Sequence, residues 1–310
     1  MDFHNHSNYS DGGDTPAELV ERAKMWGVSA MALTDHHVYS GLPEFLYACK
    51  REDIFAISFG TEINVELPSV ALEEGDNEAP DMIILGKSPK YVEKNMRIYQ
   101  DILFRDRKDR FIPETMDGLR DIGFHISDPQ LNLAKNVEEL GECLERIKDQ
   151  LNNPDNLERL IDYVHEVSSI GEADIRGQPE IYAAKWVFSI GQPGYAKRFK
   201  GFSTSDAITL AEVMNCKLFI AHPGGEYGAL SDTNLNYFVK TGVHGIETRS
   251  YFNTSEQNAK FDLLAKQNGL IRSGGSDCHG DRGPFKIGIY DRPENQVPKK
   301  VLKELWENLP

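Results

Sequence analysis

The sequence lacks long apolar runs, closely spaced cysteines and a surplus of basic residues, and each absence excludes a class of protein. No apolar run reaches the roughly 20 residues that a membrane-spanning helix needs. The four cysteines are far apart and form no CxxC pair, so we expect free thiols in a reducing cytoplasm. The formal charge of −15 argues against a broad basic surface for duplex nucleic acid.

These absences leave room for a globular enzyme that acts on small anionic molecules. A nucleotide or a short oligonucleotide stays compatible with the acidic chain, because bound divalent cations can reverse the local sign of charge. The 310 residues suffice for one or two domains with a large core. Residue 1 leads directly into a predicted strand, so we expect no signal peptide and no membrane partner.

Short apolar runs alternate with helical patterns in both halves of the chain. The predicted strands are residues 2–6, 28–33, 54–59, 82–86, 217–222 and 243–247, and a last strand that follows 270–273 and ends near Asp277. A helix start is predicted at Thr15, where Pro16 and Glu18 complete the N-terminal signal. Seven strands with helices between them indicate an α/β fold, a distorted (βα)7 barrel similar to a TIM barrel.

The strand pattern disappears between about residues 93 and 200. Four helical patterns occupy this stretch, at 93–110, 114–122, 136–151 and 156–169. We therefore predict a catalytic barrel formed by residues 1–92 and 200–310, with a helical insertion at 93–199. An insertion after the carboxyl end of a barrel strand is expected to cover the mouth and shape the substrate pocket.

Histidine and acidic residues follow three of the apolar runs, near both ends of the chain. These residues are His4, His6 and Asp11, then His36 and His37, and finally Asp277 and His279. Side chains alternate faces along a strand, so His4 and His6 point the same way while Cys278 points away from its two neighbours. Imidazole and carboxylate hold hydrolytic zinc, manganese or iron. The pattern predicts a metal centre at the carboxyl ends of barrel strands.

The predicted ligands divide into three cation positions. The first is His4, His6, Glu62 and Asp277, the second is Asp11, His36 and His279, and the third combines Glu62 with His222. Two ions about 3.5–4 Å apart can hold the attacking and leaving oxygens of a phosphoryl transfer and ionise a water. Each element alone also has a simpler explanation, such as a strand histidine pair, a helix cap at Asp35 or a turn after His222.

The motifs together resemble the PHP (polymerase and histidinol phosphatase) family of metal-dependent phosphoesterases. They occupy residues 3–12, 33–36, 60–62, 221–224 and 274–280, and the resemblance runs from residue 1 to about 290. It implies a distorted seven-stranded βα barrel, which agrees with the strand pattern. The helical insertion, with residues 177–181 near its end, is similar to the branch that hydrolyses nucleoside 3′,5′-bisphosphates and trims short RNA 5′ ends (RNase AM-like).

Two positions depart from the family pattern, and both bear on the third cation. Ile83 stands where relatives often carry a histidine in the fourth strand, and Glu180 stands where the insertion branch usually has one. Glutamate also coordinates hard cations, so Glu180 is a candidate replacement ligand. We therefore expect two or three divalent ions, which the ligand types allow to be zinc, manganese or iron.

The resulting hypothesis is a phosphoesterase that uses a metal-activated hydroxide on a phosphorylated small molecule or short nucleic acid. The candidate catalytic residues are Asp277, His222 and His37, of which the two histidines are candidates for protonating the leaving group. The candidate phosphate contacts are cations at predicted loops, namely Arg249, Arg282, Lys286, Lys197 and Arg198. Two alternatives stay open: C–N hydrolysis of the amidohydrolase type at the same centre, and a metal-binding regulatory module without activity.

Overall fold

The structure is a computed structural model of the chain. It describes residues 1–73, 79–168, 170–179, 183, 187, 200–224, 229–280, 287 and 296–310. The chain divides into two compact units, Met1–Ile98 with Phe202–Pro310, and Tyr99–Gly201. The roles predicted for the two parts, catalytic barrel and lid, stay predictions. No helix among the described residues has the length and hydropathy to cross a membrane.

The elements alternate along the chain as an α/β fold, which confirms the predicted class. The strands are β1 Ala30–Met31, β2 Phe55–Ala56, β3 Phe59–Asn64, β4 Asp81–Gly86, β5 Lys217–Ile220, β6 Gly245–Ser250 and β7 Ile271–Gly275. The helices are α1 Pro16–Met25, α2 Leu42–Glu52, α3 Val92–Asp106, α4 Ile112–Asp121, α5 Val137–Leu151, α6 Pro154–Val167, α7 Glu172–Gly177, α8 Thr204–Val213, α9 Asp232–Thr241, α10 Ser255–Asn268 and α11 Lys299–Asn308.

The described strands form two sheets, where the sequence predicted one seven-stranded parallel barrel. β1 and β2 pair in parallel, and the second sheet has the order β3-β4-β5-β6-β7. β4 is antiparallel to both of its neighbours, whereas β5, β6 and β7 are parallel. The described part of the connection from β3 to β4 contains a 3₁₀ turn, Ser69–Ala71, but no crossover helix. Without a crossover, consecutive strands pair antiparallel.

Most predicted strands have different bounds in the structure, and two of them also differ in kind. The segment 2–6 makes isolated bridges, Asp2 with Met31 and Asn5 with Cys278, and forms no longer strand. The run predicted as one strand at 54–59 is split into β2 and β3. Glu62 therefore lies inside β3, opposite Ile83 of β4.

Local sequence explains how the elements around the N-terminal segment begin and approach one another. Thr15 caps α1 in a capping box with Glu18, as predicted. Gly275 at the end of β7 lies so close to His4 that a Cβ atom would overlap the His4 backbone nitrogen. Glycine at this position lets the end of β7 lie beside the N-terminal segment.

The first unit has an apolar core that includes side chains from its N-terminal segment and from both sheets. Phe3, Ala30, Ile57, Ile83 and Phe219 are members of this core, and each is fully buried. Burial of this kind supplies most of the favourable free energy of folding. Ile83 fills core volume and presents no donor atom to a cation.

The second unit is helical, and three of its helices lie close to their predicted bounds. α4, α5 and α6 were predicted at 114–122, 136–151 and 156–169. Its own core includes Ile112, Leu119, Leu140, Leu160 and Val164, all fully buried. A separate core of this size is what an independent compact unit requires.

Candidate metal centre

Backbone hydrogen bonds hold the N-terminal segment between residues from the two ends of the chain. On one side, the Thr34 N–H donates to the Asn5 carbonyl at 2.9 Å. On the other, the His6 N–H donates to the Cys278 carbonyl at 2.9 Å, and the Asp277 N–H donates to the His4 carbonyl at 3.0 Å. The three predicted ligand stretches are therefore neighbours in space, although they are far apart in sequence.

A first group of donor atoms comes from His4, His6, Glu62 and Asp277. The Nε2 atoms of His4 and His6 lie 3.0 Å apart, and each lies 3.1 Å from Glu62 Oε2. Asp277 Oδ1 lies 3.1 Å from His6 Nε2 and 3.3 Å from His4 Nε2. Two donors about 2.1 Å from one ion are separated by about 3.0 Å at a right angle and about 3.4 Å at a tetrahedral angle. The observed spacings match ligands of a single cation.

A second group comes from His6, Asp11, His36 and His279. Asp11 lies 3.3 Å from His279 Nε2 and 3.7 Å from His36 Nε2. The His6 ring stacks against the rings of both His36 and His279, with centroids 4.5 and 4.4 Å away. The Asp11 side chain is 52% exposed, so this group lies on the solvent side of the cluster.

A third group comes from Glu62, Asp81 and His222. His222 Nε2 lies 3.2 Å from Glu62 Oε1 and 3.9 Å from Asp81 Oδ2. Asp81 is not one of the ligands predicted from the sequence. Strand alternation could have found it, because Asp81 lies two residues before Ile83 on β4 and therefore shares its face.

Buried carboxylates orient the histidines and the segments that carry them. Glu247 on β6 accepts a hydrogen bond from the His222 N–H at 2.6 Å and lies 3.2 Å from His4 Nδ1. A carboxylate on the second ring nitrogen is the usual means of fixing a metal-binding histidine. Asp35 accepts from the Ser7 N–H at 2.6 Å and from the Ser7 hydroxyl at 2.8 Å.

Opposite charges set the protonation of the cluster. Burial lowers the pKa of His6, but hydrogen bonds and charge interactions with Asp277 and Glu62 outweigh it and raise the pKa to about 10. The same competition, led by Glu62, raises the pKa of His222 to about 9. Glu247 joins Glu62 and Asp277 in raising the pKa of His4 well above its ordinary value.

The acids of the cluster shift in the opposite direction. Burial raises the pKa of Glu62, but the charges of His4 and His36 outweigh it and hold the pKa well below its ordinary value. The pKa of Asp277 is lowered mainly by His4 and His6, and that of Asp11 mainly by His36 and His279. Buried carboxylates in this arrangement need positive charge, which protons or metal cations can supply.

The donor set fits divalent cations on its own geometry. Among the ring nitrogens of the cluster, His6 Nδ1 is buried without a hydrogen-bond partner in the described structure. Such atoms are costly to bury unless another ligand satisfies them. Imidazole nitrogens and carboxylate oxygens suit zinc, manganese and iron alike. All eight predicted metal ligands within the described residues belong to one of the three groups, and their binding of metal stays a prediction.

The other candidate residues are less closely tied to the cluster. His37 is buried beside His36, with a positive φ of 64°, and belongs to none of the three donor groups in the described structure. The Arg249 guanidinium donates to Asp262 on α10 at 2.7 Å, so a phosphate would have to compete with this ion pair. Both roles stay predictions. Glu180, Lys197, Arg198, Arg282 and Lys286 lie outside the described residues.

Cys278 is buried between two of the predicted ligands and contributes to none of the donor groups found in the described residues. Burial raises the pKa of its thiol to about 12. The Gly280 N–H donates to its sulfur at 3.4 Å. A buried thiol of this kind packs as a small apolar group.

Comparison with known proteins gives one family and several relatives of similar length. A family model described as the PHP domain matches residues 2–187. A 3′,5′-nucleoside bisphosphate phosphatase of Chromobacterium violaceum is 27% identical, over 100% of this chain and 96% of the relative. A 5′-3′ exoribonuclease of Haemophilus influenzae is 32% identical, over 99% of this chain and 97% of the relative.

One solved structure from Bifidobacterium adolescentis, provisionally assigned as a metal-dependent phosphoesterase, has a similar fold. It superposes with a TM-score of 0.63 at 23% identity, over 98% of this chain and 94% of that chain. At this level of identity the similarity concerns the fold alone. The matched family, the donor groups and the relatives of similar length all indicate the same kind of enzyme, one that cleaves phosphate esters.

Proposed function

Because the chain belongs to the PHP family and is a metal-dependent phosphoesterase, we propose that it hydrolyses a phosphate ester at the end of a nucleotide. The substrate class is a nucleoside bisphosphate or a short oligonucleotide. The two relatives that align along almost the whole chain act, by their names, on a nucleoside bisphosphate and on RNA. The acidic net charge is compatible with a small anionic substrate that binds at a cationic centre.

The observation that carries the proposal is the convergence of three donor groups around Glu62. This carboxylate belongs to two of the groups and lies 3.3 Å from His36 of the other. Bound divalent cations supply Lewis-acid stabilisation of phosphate oxygens and lower the pKa of a coordinated water. The number of ions, two or three, and their identity as zinc, manganese or iron belong to the proposal.

The residues of the chain have distinct proposed roles in this reaction. His4, His6 and Asp277 would hold one cation together with Glu62, and Asp11, His36 and His279 would hold a second. Glu247 fixes the His4 ring through Nδ1 and the His222 backbone through its N–H. Preorganised ligands of this kind do not have to reorganise as charge builds on the phosphate.

The mouth of the third donor group is the proposed place for the leaving group. The His222 side chain is 19% exposed and that of Glu62 only 1%, so His222 can reach both the cluster and a bound substrate. The Phe252 ring lies edge-on to the His222 ring, with centroids 6.1 Å apart, and limits its rotation.

The proposal also includes a barrel-like catalytic unit and a cytoplasmic location. The location is proposed because all four cysteines are free thiols.

Turnover of a substrate panel by the metal-loaded protein tests the proposal. The panel comprises a nucleoside 3′,5′-bisphosphate, a 5′-phosphorylated short RNA, histidinol phosphate and an amide substrate, each with manganese, zinc or iron(II). We expect release of phosphate or of mononucleotides from the first two. The Asp277→Asn variant, purified in the same way, gives the background of contaminating phosphatases. Hydrolysis of the amide alone, or no turnover above that background, would overturn the proposal.

A further inference from the structure

We propose that this chain binds a third divalent cation through Glu62, Asp81 and His222, with Asp81 supplying the ligand that Ile83 does not provide. The inference rests on the proposed function, since it adds a ligand to the same metal centre. It concerns a residue that the sequence motifs did not indicate. It also makes Glu180 unnecessary as a ligand.

The register of the sheet places Asp81 next to His222. Met82 of β4 lies opposite Ile220 of β5, and the Ala221 N–H donates to the Asp81 carbonyl at 3.4 Å. His222, the next residue, lies two positions beyond the end of β5. Asp81 begins β4, so its side chain lies at the edge of the sheet where His222 leaves it.

The same register places Glu62 at this edge and shows why Ile83 is not a ligand of the third cation. Glu62 lies opposite Ile83, and Asp81 lies two residues from Ile83 on the same face. Neighbours diagonal across an antiparallel pair are within reach of long side chains. Ile83 is fully buried in the apolar core, so its position can hold no cation. The Asp81 carboxylate, two residues away along β4, supplies a donor on the same face of the strand.

The distances between donor atoms fit one shared ion. Glu62 Oε1 lies 3.2 Å from His222 Nε2, and Asp81 Oδ2 lies 3.9 Å from it. Donors about 2.1 Å from one ion are at most about 4.2 Å apart, when they lie on opposite sides of it. The Asn64 amide donates to the other oxygen, Oδ1, of Asp81. This hydrogen bond orients the carboxylate, so that Oδ2 is the atom that faces His222.

The burial and ligand number are those of an open cation position. The side chains of Asp81 and His222 are 12% and 19% exposed, against 1% for Glu62. Three protein ligands with remaining access to solvent are typical of a catalytic site, which keeps a position for water or substrate. Glu62 would bridge this cation and the one held with His4 and His6, because its two oxygens face different groups.

Equilibrium titration with manganese(II) tests the inference without relying on activity. Free manganese is measured by electron paramagnetic resonance, and the number of bound ions per chain is compared for the wild type and four variants. These are Asp81→Asn, His222→Gln, Glu180→Gln and, as a matched control on the exposed surface of α4, Asp117→Asn. Circular dichroism melting checks that each variant folds, and Asp81→Glu serves as a second substitution that keeps the carboxylate.

We expect three ions for the wild type, Glu180→Gln and Asp117→Asn, and two for Asp81→Asn and for His222→Gln. Asp81→Glu should retain the third ion with affinity reduced by at least the roughly 10-fold typical of disturbed metal sites. A third ion retained by Asp81→Asn, two ions in the wild type, or loss of an ion only in Glu180→Gln would overturn the inference and leave the phosphoesterase proposal standing. Fewer than two ions in the wild type would instead contradict the proposed metal centre itself.

Discussion

Replacement of Glu62 by glutamine removes the negative charge that the donor groups share. The substitution keeps the shape of a fully buried side chain, so the fold should persist. Glu62 Oε2 lies 3.1 Å from the Nε2 atoms of both His4 and His6, and Oε1 lies 3.2 Å from His222 Nε2. A neutral amide in this place presents one weaker donor where the carboxylate presents two.

The expected loss follows from the number of cations affected. A bound cation contributes several kcal/mol of transition-state stabilisation. If Glu62→Gln weakens two positions, a loss of about 4 kcal/mol corresponds to a fall in kcat/KM of about 10³-fold. We also expect the content of bound metal to fall by at least one equivalent per chain.

The assay is phosphate release from a nucleoside 3′,5′-bisphosphate, with metal content measured on the same samples by mass spectrometry. Glu256→Gln in the first turn of α10 is the matched control, because the same chemical change there lies on the exposed surface. Its kcat/KM and metal content should equal those of the wild type. If Glu62→Gln kept the full metal content and a kcat/KM within about 3-fold of the wild type, the shared-ligand role of Glu62 would be refuted.

Three further predictions concern Glu247, two histidines of the donor groups and the cysteines. Glu247→Gln should lower metal affinity by about 10–100-fold, because it weakens the contact that orients His4. At saturating metal, kcat should stay near that of the wild type. Unchanged affinity in a manganese titration would contradict this role of Glu247. In the metal-free protein, His6 and His222 have pKa values raised to about 10 and about 9, so their stabilising contribution is present below about pH 6.5 and is lost as pH rises through those values. Urea unfolding in the presence of a chelator measures this contribution through the free energy of unfolding. The contribution of these histidines should be smaller at pH 9.5 than at pH 6.5, so the free energy of unfolding of a His222→Gln variant should depend less on pH than that of the wild type. An identical pH dependence in the two proteins would contradict this prediction. Burial raises the pKa of Cys49, Cys216 and Cys278 to about 12. A thiol reagent at pH 8 should therefore leave the native protein almost unmodified and should label all four thiols after unfolding. Labelling of fewer than four thiols would indicate a disulfide.

The local parts of the fold were predictable because their signals are local. The capping box at Thr15 and the amphipathic patterns of α5 and α6 depend on residues within a few positions of one another. Their bounds were therefore close to those observed. Sheet pairing depends on residues far apart in sequence, and the antiparallel placement of β4 was not visible in its apolar run.

The same distinction separates the predicted ligands from Asp81. His4, His6 and Asp277 stand in short motifs with the alternation of a strand, so their shared face could be inferred from spacing alone. Asp81 has no metal-binding neighbour in sequence, and only the pairing of β4 with β3 and β5 brings it to His222. The family pattern differs from this sequence at Ile83 and Glu180. It does not indicate Asp81, whose carboxylate lies beside His222 in the structure.

Anomalous diffraction from crystals of the manganese-loaded protein tests the existence of the metal centre most directly. We expect at least two anomalous peaks about 3.5–4 Å apart, one within bonding distance of His4, His6 and Asp277 and the other near Asp11, His36 and His279. A single peak, or peaks located away from these side chains, would contradict the proposed metal centre.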